Sequence, residues 1–433
     1  YHLKDFERAL HTLDKLVSSV KEANDSLRAH ILFRQGQIYE HLFKKAEFED
    51  DTLLAQHARK QSLEKYSIIQ ERYGTSPFTD DAVYHTILLT SPNIAEYEKF
   101  IATYPSSNYC PSVYLHIARH YQRRAQSGAS PFLRKAIDAY LYIVNKYPGD
   151  SIVPQALAGI ARNYLELGNA DSTQWAVQRL VTQYPDSDYQ PEARFIHALL
   201  LKGQRRYDEA MKRFKEVLYQ YPTSPYAGRS RFELASTQFN SNQYFEALNN
   251  YRHYVESFPD GRYGQQARYG IARCLVRLGK NDQARRALKA LAQETVSERL
   301  QAGILYEIAR IEESDGKIYE ALDYYKQVLA IGTFPRQGDV YTHVGKLYFE
   351  NRMYEEAAAA YREALQAAET EADTLTALTG TIISLIMSGK AKAADKHVRL
   401  FRKKFGERQK EFSEILYHEG LYFVIEKKYD KAI

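Results

Sequence analysis

His116 and His120 stand four residues apart, the spacing that would set two imidazoles on one helix face as metal ligands. No third ligand and no catalytic Glu stands at the adjacent positions, so packing or surface roles are expected and no metal is. Gly345-Lys346 and Gly389-Lys390 resemble the end of a phosphate-cradling loop, but both lack the earlier glycine and the Ser or Thr that should follow the lysine. Cys110 and Cys274 are far apart and suggest no disulfide framework. Carboxylates are scattered as on solvated helix faces, so no pair is marked as acid and base. The expectation is a protein that is not an enzyme, with no cofactor and no small-molecule substrate.

The other chemistry is surface charge. From 390 to 410 the chain carries Lys390, Lys392, Lys396, Arg399, Arg402, Lys403, Lys404, Arg408 and Lys410 against Asp395 and Glu407. Such a run is ordinarily a solvated outer helix face. Its other readings are contact with anionic lipid headgroups or an acidic protein. Nucleic acid is not expected, because only Phe401 and Phe405 are interleaved as stacking aromatics. The net charge of +5 is too mild to argue otherwise.

A chain of 433 residues exceeds one conventional core, so several domains or a repeat array must hold these residues. The 36 tyrosines against 19 phenylalanines suit the half-buried positions of an elongated fold with a thin core. No apolar run approaches the ~20 residues of a membrane span, and no leader is visible.

The array is legible. Tyr104-Pro105, Tyr147-Pro148, Tyr184-Pro185, Tyr221-Pro222 and Phe258-Pro259 recur, the last three intervals being 37 residues each. Pro cannot continue a helix, and the Asp, Ser or Gly that follows favours turns and caps, so each pair marks one helix ending and another starting. Between the marks, apolar residues follow the helical period over two helices, broken in one repeat at Lys202-Gly203-Gln204. Small residues recur on the first helix (Gly36, Ala118, Ala161, Ala198, Ala235, Ala272, Ala309, Gly345, Gly420). A second set falls on the second helix (Ala9, Ala136, Ala210, Ala247, Ala284, Ala321, Ala357, Ala394, Ala432). Four residues after the second set come Tyr140, Phe214, Tyr251, Tyr325 and Tyr361.

This small–large alternation resembles the tetratricopeptide repeat, with Gly345-Lys346-Leu347-Tyr348 and Tyr354-Glu355-Glu356-Ala357 among its cleanest copies. A generic helical array such as HEAT is the alternative. The resemblance implies an all-α solenoid, a right-handed superhelix of about eleven helix–turn–helix repeats. Residues 1–109 read as irregular repeats with an insertion near 47–61, and 110–433 as a regular array whose last repeat is truncated. The repeat after Tyr66, 78–107, is short, another insertion lies between Arg124 and Phe132, and the repeat holding Thr173 lacks the second small residue.

The resemblance also implies a concave groove lined from the first helices, three residues before and one after the small position. The first file is Leu115, Ala158, Phe195, Phe232, Tyr269, Tyr306 and Thr342; the second is Arg119, Arg162, Leu199, Ser236, Arg273, Arg310 and Lys346. Aromatic platforms beside cations would suit a protein segment carrying acidic residues. The competing reading puts the aromatics in the core and the arginines on glutamates, Glu307 and Glu313 being near. The Lys and Asn set by which some relatives clamp acidic C-terminal tails is absent, so a chaperone co-factor role is not implied.

The extended turn with YPDS-type text is similar to bacterial cell-envelope repeat proteins of the barrel-assembly lipoprotein and Tol–Pal coordinator type. That likeness implies a protein–protein interaction scaffold in envelope assembly or division, periplasmic or envelope-associated, with the cytoplasm as the alternative. The other functional reading is a regulatory or targeting module of a longer protein. Residues 1–23 read as a lone second helix and 411–433 as a first helix with the start of its partner, so the native chain is expected to extend beyond both.

Overall fold

Each helix end is set by a local signal that repeats down the chain. In the computed structural model, which describes residues 3–20, 24–90, 93–125, 130–259, 261–332, 334–406 and 409–425, every regular element is an α-helix. The first are α1 (Leu3–Ser19), α2 (Asp25–Phe48), α3 (Thr52–Arg72), α4 (Thr79–Leu89), α5 (Ile94–Thr103), α6 (Cys110–Ala125), α7 (Ser130–Lys146), α8 (Val153–Glu166), α9 (Ala170–Gln183), α10 (Gln190–Gly203) and α11 (Tyr207–Gln220). There follow α12 (Pro225–Asn240), α13 (Tyr244–Ser257), α14 (Gly264–Arg277), α15 (Asn281–Ala292), α16 (Glu298–Ser314), α17 (Ile318–Ile331), α18 (Gln337–Glu350), α19 (Tyr354–Gln366), α20 (Glu371–Met387), α21 (Ala391–Phe405) and α22 (Gln409–Ile425). Paired from α2 to α21, they make ten helix–turn–helix repeats with α1 before and α22 after. Two compact units divide the chain, Tyr1–Val217 and Leu218–Ile433.

The aromatic–proline pairs close second helices as expected. After each, the backbone makes two successive i→i+3 turns: Ser187 N–H donates to Tyr184 C=O at 3.1 Å, then Gln190 N–H to Ser187 C=O at 3.0 Å. The same two bonds recur after Tyr104, Tyr147, Tyr221 and Phe258. The Ser187 hydroxyl accepts from Tyr189 N–H and the Asp150 carboxylate from Ile152 N–H, so the turn residues feed the orphan donors of the next helix. Tyr73-Gly74 makes the same double turn without the proline.

Within repeats the helices break at a left-handed residue. Gly168, Arg205, Asn242, Gly279, Gly316, Arg352 and Gly389 all have φ between 60° and 76°, at intervals of 37 with one of 36. Each is followed by a 6→1 bond, as from Arg206 N–H to Leu201 C=O at 2.9 Å, the Schellman closure of a helix C-terminus.

The small residues are where the helices meet. Those at positions 118 to 394 of the two sets are buried, the alanines to 2% exposure or less, while Ala9 and Gly420 are half-buried and Ala432 lies outside the described residues. Thr173 takes the second small position of its repeat: it is fully buried, with its hydroxyl donating to Asn169 C=O at 2.7 Å. The aromatics of the second helix then press on first-helix backbone. A Cβ added to Gly159 would lie 2.5 Å from the Tyr140 ring, to Gly270 2.6 Å from Tyr251, and to Gly380 2.7 Å from Tyr361. Each of these glycines belongs to the following repeat, 19 residues beyond its tyrosine.

The insertion near 47–61 is helical. It lengthens α2 to 24 residues and α3 to 21, against 14 for α10 and for α11. Ala46, Ala55 and Ala58 keep the added turns in close contact, and Asp51 caps α3 by accepting from Leu54 N–H. The short repeat expected at 78–107 is built from α4 and α5, of 11 and 10 residues.

Two outcomes test these constraints. Arg205→Gly and Arg352→Gly should each stabilise the chain by about 0.5–1 kcal/mol, since glycine avoids the left-handed Cβ clash, read as a rise in the urea midpoint. Gly270→Ala should destabilise by about 1–3 kcal/mol. It should cost less in a Tyr251→Leu background, and equal costs in both would remove the ring–backbone seat as the cause.

Candidate partner-binding faces

The small residue at the centre of each first helix turns its neighbours three before and one after toward the same side, so the expected files can be followed in each unit separately. The residues three before are mostly core. Leu115, Ala158, Phe195 and Tyr306 are buried, while Phe232, Tyr269 and Thr342 are half-buried. Phe195 packs on Phe214 with ring centroids 5.8 Å apart, and Tyr306 lies 6.0 Å from Tyr325 and 4.9 Å from Phe334. These two therefore complete the packing between helices instead of offering open platforms. Phe232 stacks on Tyr263 at 4.9 Å, and burial, ahead of the Glu307 carboxylate, pushes the Tyr269 hydroxyl up from its ordinary pKa.

The cations one after the small position have mostly found carboxylates. In the unit 1–217, Arg162 is ion-paired with buried Glu192 of α10, and Arg119 is exposed. In the unit 218–433, the Arg273 guanidinium lies 4.2 Å over Phe239 and 5.7 Å from Tyr269, and pairs with Glu307 at 3.3 Å. Lys346 pairs with Glu313 at 3.6 Å and Glu350 at 3.7 Å. Burial pushes the exposed-edge Arg310 guanidinium down, but Tyr306, Tyr325 and Glu313 beside it outweigh burial and hold it above its ordinary value. The files thus present aromatic edges and compensated charge, with no bare basic stripe.

Two acid clusters on the same helices were missed. Glu40 is 5% exposed and is met by Lys44 at 2.6 Å, His85 Nδ1 at 2.7 Å and the Tyr66 hydroxyl, which donates at 3.2 Å. Glu313 is met by the Tyr325 hydroxyl at 2.6 Å, His343 Nδ1 at 2.9 Å and Lys346. The two histidines occupy the place that glycine holds in other repeats. His85 lies 19 residues after Tyr66, as Gly159 does after Tyr140, and His343 18 after Tyr325 in the repeat with the shorter interval. Here the imidazole faces the ring, Tyr325 and His343 stacking at 5.5 Å, and the carboxylate takes both polar ends. The signal was available as a Glu four residues after Gly36 and Ala309, but no local pattern joins residues 45 apart. A third network was equally hidden: buried Glu312 is met by Arg285 at 3.0 Å and Lys317 at 3.2 Å, and Arg285 also holds Asp282 and Asp315.

His116 lies flat on Tyr97 at 5.2 Å, and burial, then Arg119 and Arg123, push its pKa down. His120 packs edge-on to Tyr121 at 5.7 Å. Among the described residues no group of three His, Cys, Asp or Glu could hold a metal. Burial pushes both thiols up, Cys274 to about 12. In α21, Lys392, Lys396, Arg399, Arg402, Lys403 and Lys404 are exposed, and Lys390 before it pairs with Glu355 at 2.8 Å. Arg408 and the side chain of Lys410 lie outside the described residues.

The clusters make the fold acid-sensitive. His85 and Lys44 outweigh burial to hold Glu40 at about 2, and His343 and Tyr325 do the same for Glu313. A carboxylate depressed in the folded state adds stability above its ordinary 4.5 and loses it as pH falls toward about 2. Glu313→Gln should therefore flatten the fall in melting temperature over that window, and an unaltered acid profile would count against the cluster.

A tetratricopeptide repeat-like domain family matches residues 250–380, and a tetratricopeptide repeat family matches 192–224. Among solved structures, the apo quorum sensor NprR from B. thuringiensis is similar at TM-score 0.51 and 13% identity, over 76% of this chain and 96% of that one. A tetratricopeptide repeat protein from Parabacteroides merdae aligns at TM-score 0.42 and 18% identity, over 63% and 94%. No curated protein matches the chain. Residues 192–224 and 250–380 thus carry tetratricopeptide repeats, within an all-α solenoid of helix pairs.

Proposed function

We propose that the chain is a non-catalytic scaffold of bacterial envelope assembly or division, and that its first-helix faces hold segments of partner proteins. The observation that carries the reading is a cation one place after the small residue on five of the seven first helices from α6 to α18, Arg119, Arg162, Arg273, Arg310 and Lys346, with a tyrosine four residues before it at Arg273 and Arg310. An extended or helical segment laid along such helices within either unit meets a cation at most steps. An acidic residue of that segment would reach Arg119 in one unit or Arg310 in the other, and would compete with Glu307 for Arg273. The partner's carboxylate then replaces an existing one, so selectivity comes from geometry more than from net attraction. The periplasmic placement rests on the likeness of the YPDS-type double turn to envelope proteins.

The test places a photo-crosslinking residue at Arg119, Ser236 or Arg310, and at the exposed second-helix positions Lys215 and Glu363, in the native host. Discrete protein adducts should form from the first-helix positions and co-fractionate with the periplasm or envelope, and Arg310→Glu should reduce adducts formed from Ser236. Equal labelling from both sets would overturn the face assignment. Adducts confined to the cytosol would overturn the envelope role.

A further inference from the structure

α21 turns a file of four cations outward. Lys392, Lys396, Arg399 and Lys403 follow one another at four, three and four residues, the spacing that keeps side chains on one face of a helix. All four are exposed, and none has an ion-pair partner among the described residues. The opposite face fixes this orientation: Ala394 and Phe401 are buried and Val398 and Phe405 half-buried in the core. Eleven residues of helix set the ends of the file about 16 Å apart. Asp395 is the one acid on the helix, at the flank of the file. On the other flank His397 is pushed down by burial and then by Arg362 and Lys396, with no carboxylate opposing them.

We propose that this face of α21 binds the anionic headgroups of a lipid bilayer. A straight, one-sided file of cations is satisfied by a plane of negative charge without any matched groove. A nucleic acid would look for stacking aromatics, but Phe401 and Phe405 both point into the core. Leu400, 43% exposed at the edge of the file, adds a small apolar contact at headgroup depth. The attachment is peripheral. The apolar face of α21 is already occupied, and no described helix is long and apolar enough to cross a membrane. Binding is then electrostatic and is screened by salt. It stands apart from the partner faces of the first helices, since α21 is the second helix of its repeat.

The experiment is co-sedimentation of the whole chain with vesicles of equimolar phosphatidylglycerol and phosphatidylcholine, and with phosphatidylcholine alone, at low and high salt. The chain should pellet with the anionic vesicles only, less so as salt rises, and each Lys or Arg changed to Gln in the file should weaken binding about fivefold. Lys392→Glu with Lys396→Glu, Arg399→Glu and Lys403→Glu should remove binding, while Arg277→Glu, on exposed surface elsewhere, should not. If the fourfold variant does not fold by circular dichroism, Lys396→Gln and Arg399→Gln singly carry the test. Equal pelleting with neutral vesicles, or file variants that bind as well as the parent, would overturn the proposal. Capture by soluble polyglutamate without pelleting by vesicles would also overturn it, in favour of an acidic protein.

Discussion

The packing of one repeat on the next depends on seating tyrosine rings of second helices. In five repeats a second-helix tyrosine, Tyr66, Tyr140, Tyr251, Tyr325 or Tyr361, leaves its own helix and meets the first helix that follows. In most of these repeats that helix offers backbone, because the facing residue is Gly159, Gly270 or Gly380 and has no Cβ to hold the ring away. At Tyr66 and Tyr325 the facing residue is His85 or His343, and the ring meets an imidazole instead. A larger residue brings a polar nitrogen, and the buried Glu40 or Glu313 takes it together with the tyrosine hydroxyl. Glycine and the Glu–His pair are thus two solutions to one packing problem. The first relies on contact alone; the second adds a charge that must stay ionised.

The same economy governs the first-helix faces. A small residue at the centre lets the paired helix approach, and the residue three before it is drawn beneath the neighbouring aromatic, as Phe195 lies against Phe214. Carboxylates buried or half-buried nearby cannot stay unpaired, so Arg162, Arg273 and Lys346 each meet one borne by the next repeat or the one before, Glu192, Glu307 and Glu313. These pairs link neighbouring repeats, and they also mean that a partner must exchange with an internal acid. By contrast, the α21 file stands on a second helix, and none of its four cations has an ion-pair partner among the described residues.

Much of this architecture was legible in the residues themselves. Helix ends follow from Tyr-Pro pairs and left-handed turns, which act within four to six residues, and close helix approaches follow from Ala and Gly at fixed intervals. Repetition multiplies such weak local signals, so the all-α repeat class, the pairing of helices and the burial of the small positions could be read directly. What the tertiary structure alone decided is which side chains meet across helices. Glu40 and His85 are 45 residues apart, Arg162 and Glu192 are 30, and Arg285 and Glu312 are 27. No periodic pattern distinguishes a carboxylate that will be buried from one that stays in water, because that depends on where the neighbouring repeat places its rings. For the same reason the insertion near 47–61 looked like an interruption and is two added lengths of helix, and Phe195 and Tyr306 looked like platforms and are core. The local chemistry set the elements; the stacking of one repeat on the next decided which of their groups face water.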